Sequence, residues 1–391
     1  GAVVVTRDEV GRRQKTTFDL LGRPWKTEVL YEQSKSETLN GSGTVYSTSE
    51  ITYNARDQIA QVTQTDNATS AYQTTTMAYD GYGRLHTKHT PEQQAVSGNS
   101  LTSDHTTWVY NDDDTTYSVT DARGASATYS YNSRRMVTGI AYSAPTGVAS
   151  TPNVSFDYDA AGNRTSMTDG VGTVSYSYDT LSRLTSETRH FNDLASLSNG
   201  GNYTLSYGYN LSGELTGVTD QSISTTATYS YDTNGRLSAV GGSGFPSFST
   251  FASNFEYRAW GAIKGFDYGN SVHQAIGFNN RQQLTSSTFS NVHVGSNSSA
   301  TISKTYDYYD DGRISHAYNG YDNRFDRAFT YDHVGRIVDA LTGSEARGGT
   351  TADGPYKQTY SYDVWTNTTA RTSRIWTQNN NESASYSNNR R

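Results

Sequence analysis

The chain has 391 residues, with 31 Lys and Arg against 38 Asp and Glu for a net charge of −7, and it contains no cysteine. A net acidic chain without a basic cluster is not built to bind nucleic acid, and the lack of thiols removes disulfides and Cys-based zinc or thiol chemistry. Only 33% of its residues are hydrophobic even with 31 tyrosines counted among them, too few for a thick apolar core, yet the aromatic load and modest charge are not those of a disordered chain.

The start, Gly1-Ala2-Val3-Val4-Val5, lacks the charged head and long apolar stretch of a signal peptide. No run approaches the roughly 20 apolar residues of a membrane span. With a motif already under way by Thr6, the chain is expected to be a piece of a longer one. A repeat of the form Tyr-Asp-x-x-Gly-Arg-Leu then dominates, with an aromatic anchor at Phe18, Tyr53, Tyr79, Tyr110, Tyr131, Tyr158, Tyr178, Tyr209, Tyr231, Tyr257, Phe278, Tyr308, Tyr331 and Tyr362. All but two anchors precede Asp or Asn, the exceptions preceding Arg258 and Tyr309.

Each repeat reads as a β-hairpin. A second aromatic often lies two residues before the anchor, as in Tyr129/Tyr131 and Tyr360/Tyr362, and strand residues two apart share a face. Asp or Asn suits the first position of a type I turn, and Gly three residues on suits the left-handed residue that closes it; Asp80/Gly83, Asp159/Gly162, Asp232/Gly235 and Asp332/Gly335 are the clearest pairs. Leu85, Leu184, Leu215, Leu237, Ile314 and Ile337 begin the return strands. In six repeats another residue replaces the Gly, Asp57, Arg135 and Ser182 among them, and those turns are expected to differ.

The anchors also keep a longer period. Tyr79, Tyr178 and Phe278 are 99 and 100 residues apart, and Tyr131, Tyr231 and Tyr331 are 100 and 100 apart, so four hairpins form a supermodule. Longer loops are expected on one side of the array, at Ser198-Asn199-Gly200-Gly201, Gly295-Ser296-Asn297-Ser298 and Ala352-Asp353-Gly354-Pro355.

These residues, together with Arg258-Ala259-Trp260-Gly261 leading into Tyr268-Gly269-Asn270-Ser271, resemble the YD repeats of bacterial RHS proteins, relatives of the shells of insecticidal toxin complexes and of teneurins. The resemblance covers roughly residues 6 to 376. It implies an all-β fold in which tandem antiparallel hairpins form a spiralling β-sheet shell or tube, and in RHS toxins the shell encloses a C-terminal toxic domain. The family's Asp-Pro-x-Gly type shell-closing segment and a toxin are absent from this sequence. The expected organisation is a continuous repeat array over 1–376 and a polar tail over 377–391.

Fourteen hairpins give about 28 strands and a strip of about 134 Å at roughly 4.8 Å per strand, one turn around a folded cargo of ordinary size. If each hundred-residue supermodule were instead one turn, about eight strands would circle the axis and make a rod filled by side chains. Either way open strand edges remain, and they invite pairing with the rest of a longer chain or with further copies end to end.

Individual side chains suggest bland roles. The ring pairs read as wall packing, the motif Asp as a turn cap, and the motif Arg as a partner of Asp or a stacking group on Tyr. Asp112-Asp113-Asp114 lacks the spacing of a calcium loop, and His86 and His89 have no obvious third ligand. Trp25, Trp108, Trp260, Trp365 and Trp376 read as anchors of core or loop. No phosphate loop, nucleophile elbow or His-Glu-x-x-His occurs. The sequence therefore predicts a non-enzymatic scaffold needing no cofactor or metal, bacterial, and extracellular or at the cell surface, which walls off or carries a toxin. A self-supporting filament or adhesin is the alternative, and a module binding surface glycans through Trp260 or Trp365 is a weaker one.

Overall fold

The computed structural model describes residues 1–391 except 33–37, 94–102, 198, 246–248, 295–296, 387–388 and 390–391, and for 293, 294 and 297–299 the backbone alone. Thirty strands join in one sheet, and every register described runs antiparallel between strands adjacent in sequence. The fold is all-β, built from hairpins in tandem.

Each of the fourteen anchors is the last residue of a strand, from Phe18 in Arg13–Phe18 to Tyr362 in Tyr356–Tyr362. The register slips by one residue at the anchor. Ser130 opposes Gly139, for instance, whereas Tyr131 opposes Val137, and Tyr178, Tyr231 and Tyr362 show the same bulge. A type I turn closed by a left-handed residue produces this extra residue and adds twist at the strand end. Because strands alternate in direction, all these turns lie along one edge of the strip, here the anchor edge. The intervening connections lie along the other, the loop edge.

Gly83, Gly162, Gly235 and Gly335 take the left-handed position that closes their turns, at φ 86°, 95°, 74° and 96°. Their N–H groups return to the carbonyls of Asp80, Asp159, Asp232 and Asp332 at 3.0, 3.2, 3.0 and 2.9 Å. What the structure corrects is the idea that glycine distinguishes these turns. The six turns without Gly do not differ from those of Gly83, Gly162, Gly235 and Gly335, contrary to expectation. Asp57, Asp114, Arg135, Ser182, Gln282 and Thr366 take φ between 60° and 74°, at or near the value of Gly235. Their N–H groups also return to the carbonyl at the turn start, as Ser182 N–H does to Asp179 at 3.0 Å. The turn-start side chain holds the loop in place, and each non-Gly residue there bears the left-handed strain of about 1–2 kcal/mol.

Two further corrections concern the ends of elements. Gln378–Ser383, read as part of a polar tail, is a strand paired in full register with Thr368–Ile375. Its polar side chains conceal it, because an edge strand in water needs no apolar face. Of Gly295-Ser296-Asn297-Ser298, the first two residues lie outside those described, while Asn297 opens the strand Asn297–Tyr308. The extra residues there lengthen a strand rather than a loop. Ser198 likewise lies outside the described residues, whereas Asn199–Gly201 and Ala352–Pro355 lie in loop-edge connections.

The chain divides into two compact units: unit 1 is Gly1–Thr107, Gly277–Ser287 and Ile302–Arg391, and unit 2 is Trp108–Ile276 and Thr288–Thr301. Neither has a thick core. Apart from Leu30, the buried apolar side chains among the described residues are small, such as Ala328, Ala340 and Ala346 in unit 1 and Ala122, Val174 and Ala252 in unit 2. The burial is spread along a half-buried face of rings. Tyr360 and Tyr362 stack with centroids 6.3 Å apart in unit 1, and in unit 2 Phe255 stacks on Phe266 at 4.9 Å.

Candidate functional site

The repeated turn is a relay of three side chains. Asp19 Oδ1 accepts the backbone N–H groups of Leu21 and Arg23 at 2.9 Å each, and its Oδ2 accepts Arg23 Nε at 2.7 Å. Asp80, Asp179, Asp232 and Asp332 make the same three bonds within their own turns. Asp159 binds Asn163, which stands where the Arg would be. Hydrogen bonds from the backbone and guanidinium of Arg236 hold the Asp232 carboxyl below its ordinary pKa, and those of Arg183 do the same for Asp179.

The Arg so oriented reaches the next hairpin. Arg183 lies 4.8 Å from the ring centroid of Tyr209 and donates to Asn210 O at 3.0 Å. Arg336 repeats this with Tyr362 at 4.7 Å and Asp363 O at 2.7 Å. Arg23 and Arg236 stack on Tyr53 and Tyr257 at 4.4 and 4.8 Å. The anchor hydroxyl points the other way, to the first carbonyl of the preceding return strand. Tyr209 donates to Leu184 O at 3.0 Å, Tyr231 to Leu215 O at 2.7 Å and Tyr257 to Leu237 O at 2.6 Å. Tyr53, Tyr79, Tyr131, Tyr158, Tyr178, Tyr308, Tyr331 and Tyr362 make the equivalent bond. Burial raises the pKa of several of these phenols, Tyr231 and Tyr308 among them, which keeps them as donors.

The turn glycines are not brought together in one site; the turns that Gly83, Gly162 and Gly335 close each meet a neighbouring segment. Gln58 Nε2, from the preceding hairpin, donates to Gly83 O at 2.6 Å. Arg134 donates to Asp159 O and Ala160 O at 2.6 and 2.8 Å, in the turn that Gly162 closes. At Gly335 a Cβ would stand 2.6 Å from a guanidinium nitrogen of Arg12, a residue more than 300 positions earlier.

Unit 1 therefore contains a second arrangement that the repeat does not foretell. The first turn of the chain, Asp8–Arg12, lies on the loop edge and has the Asp-x-x-Gly-Arg pattern without an aromatic anchor. Its Arg12 donates to Asp311 Oδ2 at 2.7 Å, and its Glu9 pairs with Arg281 at 2.8 Å. Asp311 and Arg281 belong to anchor-edge turns nearly 300 residues further on. At Tyr309, one of the two anchors' successors that is not Asx, the turn-start carboxylate is missing, and Asp311 two residues later binds Arg313 Nε at 2.7 Å as well as Arg12. Burial opposes ionisation of Asp311, but the hydrogen bonds of Arg313 and the charges of Arg313 and Arg12 outweigh it, and its pKa is lowered.

Beside this ion pair, Tyr31 and Tyr46 of the loop edge enclose His333 of an anchor-edge turn, with ring centroids 4.6 and 4.1 Å away. Arg336 donates to Tyr46 Oη at 3.1 Å. Burial pushes the His333 pKa down against the pull of Asp332, so the ring stays neutral. Farther along, Asn389 accepts from Gln73 and Asn367 at 2.9 Å each and donates to Glu92 at 2.6 Å. A cleft of about 450 Å³ opens at the seam, lined by Val10, Glu32, Tyr308, Tyr309, Asp310, Arg313, Thr330 and Tyr331. The seam thus joins the loop edge of the first hairpins to the anchor edge of the last ones.

The remaining candidate residues are dispersed. Asp113 caps its own turn through Thr115 and faces Arg135 at 3.4 Å. His86 and His89 lie in the strand Leu85–His89, and His89 Nδ1 meets the carbonyl of Asp104. Among the described residues no group of three His, Asp or Glu is placed to hold a metal ion. Trp260 is in an exposed turn of unit 2, Trp365 in a turn of unit 1, and Trp376 packs edge-on against Phe325. Trp25 and Trp108 lie within strands.

A strip of hairpins linked turn to turn by Asp, Arg and Tyr defines a YD-repeat scaffold. The RHS-repeat family model matches residues 154–189, which hold the Tyr158 and Tyr178 turns. A search among curated proteins finds no match. Among solved structures, the crystal structure of TcdB2-TccC3-TEV is similar with a TM-score of 0.63 at 15% identity, covering 97% of this chain and 22% of that one. That of TcdB2-TccC3 without its hypervariable C-terminal region gives 0.63 at 15%, covering 95% and 22%. A Photorhabdus luminescens Tc holotoxin pore gives 0.62 at 16%, covering 97% and 22%. The chain carries an RHS repeat at residues 154–189 and shares the fold of these structures, about a fifth of whose length it spans.

Proposed function

We propose that this chain is a wall segment of a β-shell, a non-enzymatic scaffold of a secreted bacterial RHS-like protein that encloses or carries a toxin. The observation that carries this reading is the seam. Among the described residues, side-chain hydrogen bonds spanning more than one hairpin pair lie at separations of 272 to 317 residues. That spacing is three supermodules, not one, which favours a wide wall over a rod of eight strands per turn. The polar groups of the repeat support a structural role as well. In the relay Asp caps the turn, Arg bridges to the next hairpin and Tyr donates to a strand carbonyl, which supports a structural role for the repeat. The similar structures, a Tc holotoxin pore and TcdB2-TccC3 with and without a hypervariable C-terminal region, agree with a toxin-carrying assembly.

The test is protection of cargo. The natural reading frame that contains this segment is expressed whole, and limited proteolysis is followed by mass spectrometry. A downstream region resistant to protease until the β-wall is unfolded is the expected result. A downstream region digested while the wall stays intact would refute enclosure. Catalytic turnover mapped to these residues would refute the scaffold reading itself.

A further inference from the structure

Three neighbouring strands, Asn297–Tyr308, Ile314–Asn319 and Arg327–Tyr331, carry a second cleft, of about 290 Å³, whose lining lies wholly in unit 1. Ala317 pairs with Tyr306 on one side and with Arg327 on the other, so the three share a face and a row. At roughly 4.8 Å per strand, Tyr306 and Arg327 are about 10 Å apart at the backbone, and the single methyl of Ala317 leaves the space between them open. Lys304 and Asn319, an opposed pair two residues along on the same face, form the next row, and Phe325 of the following turn completes the lining.

The charges of this cleft are unspent. The chain has a net charge of −7, and the neighbouring Arg324 and Arg347 are paired with Asp322 and Asp326. Lys304 and Arg327, both exposed, have neither a carboxylate nor a hydrogen-bond partner among the described residues; Arg327 has only the ring of Tyr356, with its centroid 6.0 Å from the guanidinium carbon. Asp326 is already committed to Arg347 and to the Asn319 N–H, at 2.7 Å each, and Asp307 alternates onto the face opposite Tyr306. Asn319 Oδ1 accepts the N–H groups of Tyr321 and Asp322 at 3.0 and 3.2 Å, which leaves its amide N–H groups to donate.

We propose that this cleft binds a carboxylated sugar residue. Two unpaired cations flanking a gap call for an anion; Arg327 offers a planar fork that matches a carboxylate, and Lys304 adds a point charge. The volume is at the small end for ligand sites and suits one ring with its substituents. Tyr306 and Phe325 give that ring apolar surface, and the Asn319 amide and Tyr306 hydroxyl can bond its hydroxyls. An inorganic anion would engage the charges and leave the rings idle. The site stands whether or not the chain walls in a cargo.

Isothermal titration calorimetry of the purified chain tests it. Methyl glucuronide and a methyl sialoside serve as carboxylated sugars, methyl glucoside as a sugar ring without charge, and inorganic phosphate as charge without a ring. At least one of the two acids is expected to bind, with the glucoside and phosphate weaker by about tenfold or more. Lys304→Gln and Arg327→Gln should each weaken binding of the acid about tenfold while the strand circular-dichroism spectrum stays unchanged. Lys88→Gln, in the strand Leu85–His89 outside the cleft, should leave binding as it is. Failure of both acids to bind overturns the proposal. Glucoside or phosphate binding as tightly as the acid overturns it as well, and so does acid binding that both cleft variants retain.

Discussion

Arg12 and Asp311 are 299 residues apart and joined at 2.7 Å, and the contact can be measured as a coupling energy. The Asp311 side chain is 8% exposed and that of Arg12 is 22% exposed, so the pair is shielded from solvent and screened little by salt. A hydrogen bond between charged groups contributes about 1.5–3 kcal/mol. Here each partner keeps another, Asp8 for Arg12 and Arg313 for Asp311, so a single substitution strands neither charge. The coupling should therefore lie at the low end, about 1–2 kcal/mol. The cycle Arg12→Gln, Asp311→Asn and the double variant, followed by equilibrium urea unfolding at constant slope, reads it directly. A control cycle pairs Arg12→Gln with Asp113→Asn, a turn residue bound to Thr115 and Arg135. That cycle should be additive to within about 0.3–0.5 kcal/mol. Additivity of Arg12 with Asp311, or coupling of Arg12 with Asp113, would refute the three-supermodule seam.

Other expectations follow from the relay and the turns. Tyr231→Phe removes the bond to Leu215 O and should cost about 1 kcal/mol in chemical denaturation, while Tyr229→Phe, two residues earlier on the same face, should cost far less. Thr366 is β-branched and held at φ 74°, so Thr366→Gly should raise stability by about 1 kcal/mol; a loss would show that the turn is not strained. Asp169, bonded to Arg189 and to the N–H groups of Val171 and Gly172, has its pKa lowered from 3.8 to about 2. Its stabilisation is complete above pH 3.8 and is lost as pH falls through about 2, so Asp169→Asn should flatten that acid limb in a pH series of melting temperatures. His333 is depressed below 6.5, so the unfolded chain takes up its proton first and stability should decline as pH drops below that value; His333→Gln should remove this dependence.

Most of the hairpin was legible in the sequence because it is built from rules acting over five or six residues. The ring before Asp, the Asp as cap, and the Leu that restarts the strand each report a local requirement, and the strands end at the anchors. What escaped was also local in origin. The turns at Asp8–Arg12 and Asp121–Gly124 keep the Asp and the Gly but have Arg7 and Thr120 in place of a ring, so a search keyed on aromatics passes over them. The Gly-less turns look irregular in sequence beside those of Gly83, Gly162 and Gly335, yet the Asx cap and the bulge impose the left-handed residue whatever its side chain. The edge strand Gln378–Ser383 has no apolar alternation to reveal it.

By itself the sequence determined where the anchor-bearing strands stop, which residue opens the turns that follow them, and that rings line the sheet. Only the tertiary structure decided which turn meets which. No residue near Arg12 names Asp311 as its partner, and the same motif recurs at every intervening turn. The partner is selected by small rotations between neighbouring strands, accumulated over some twenty of them, and such a sum is set by the whole strip and not by any one repeat.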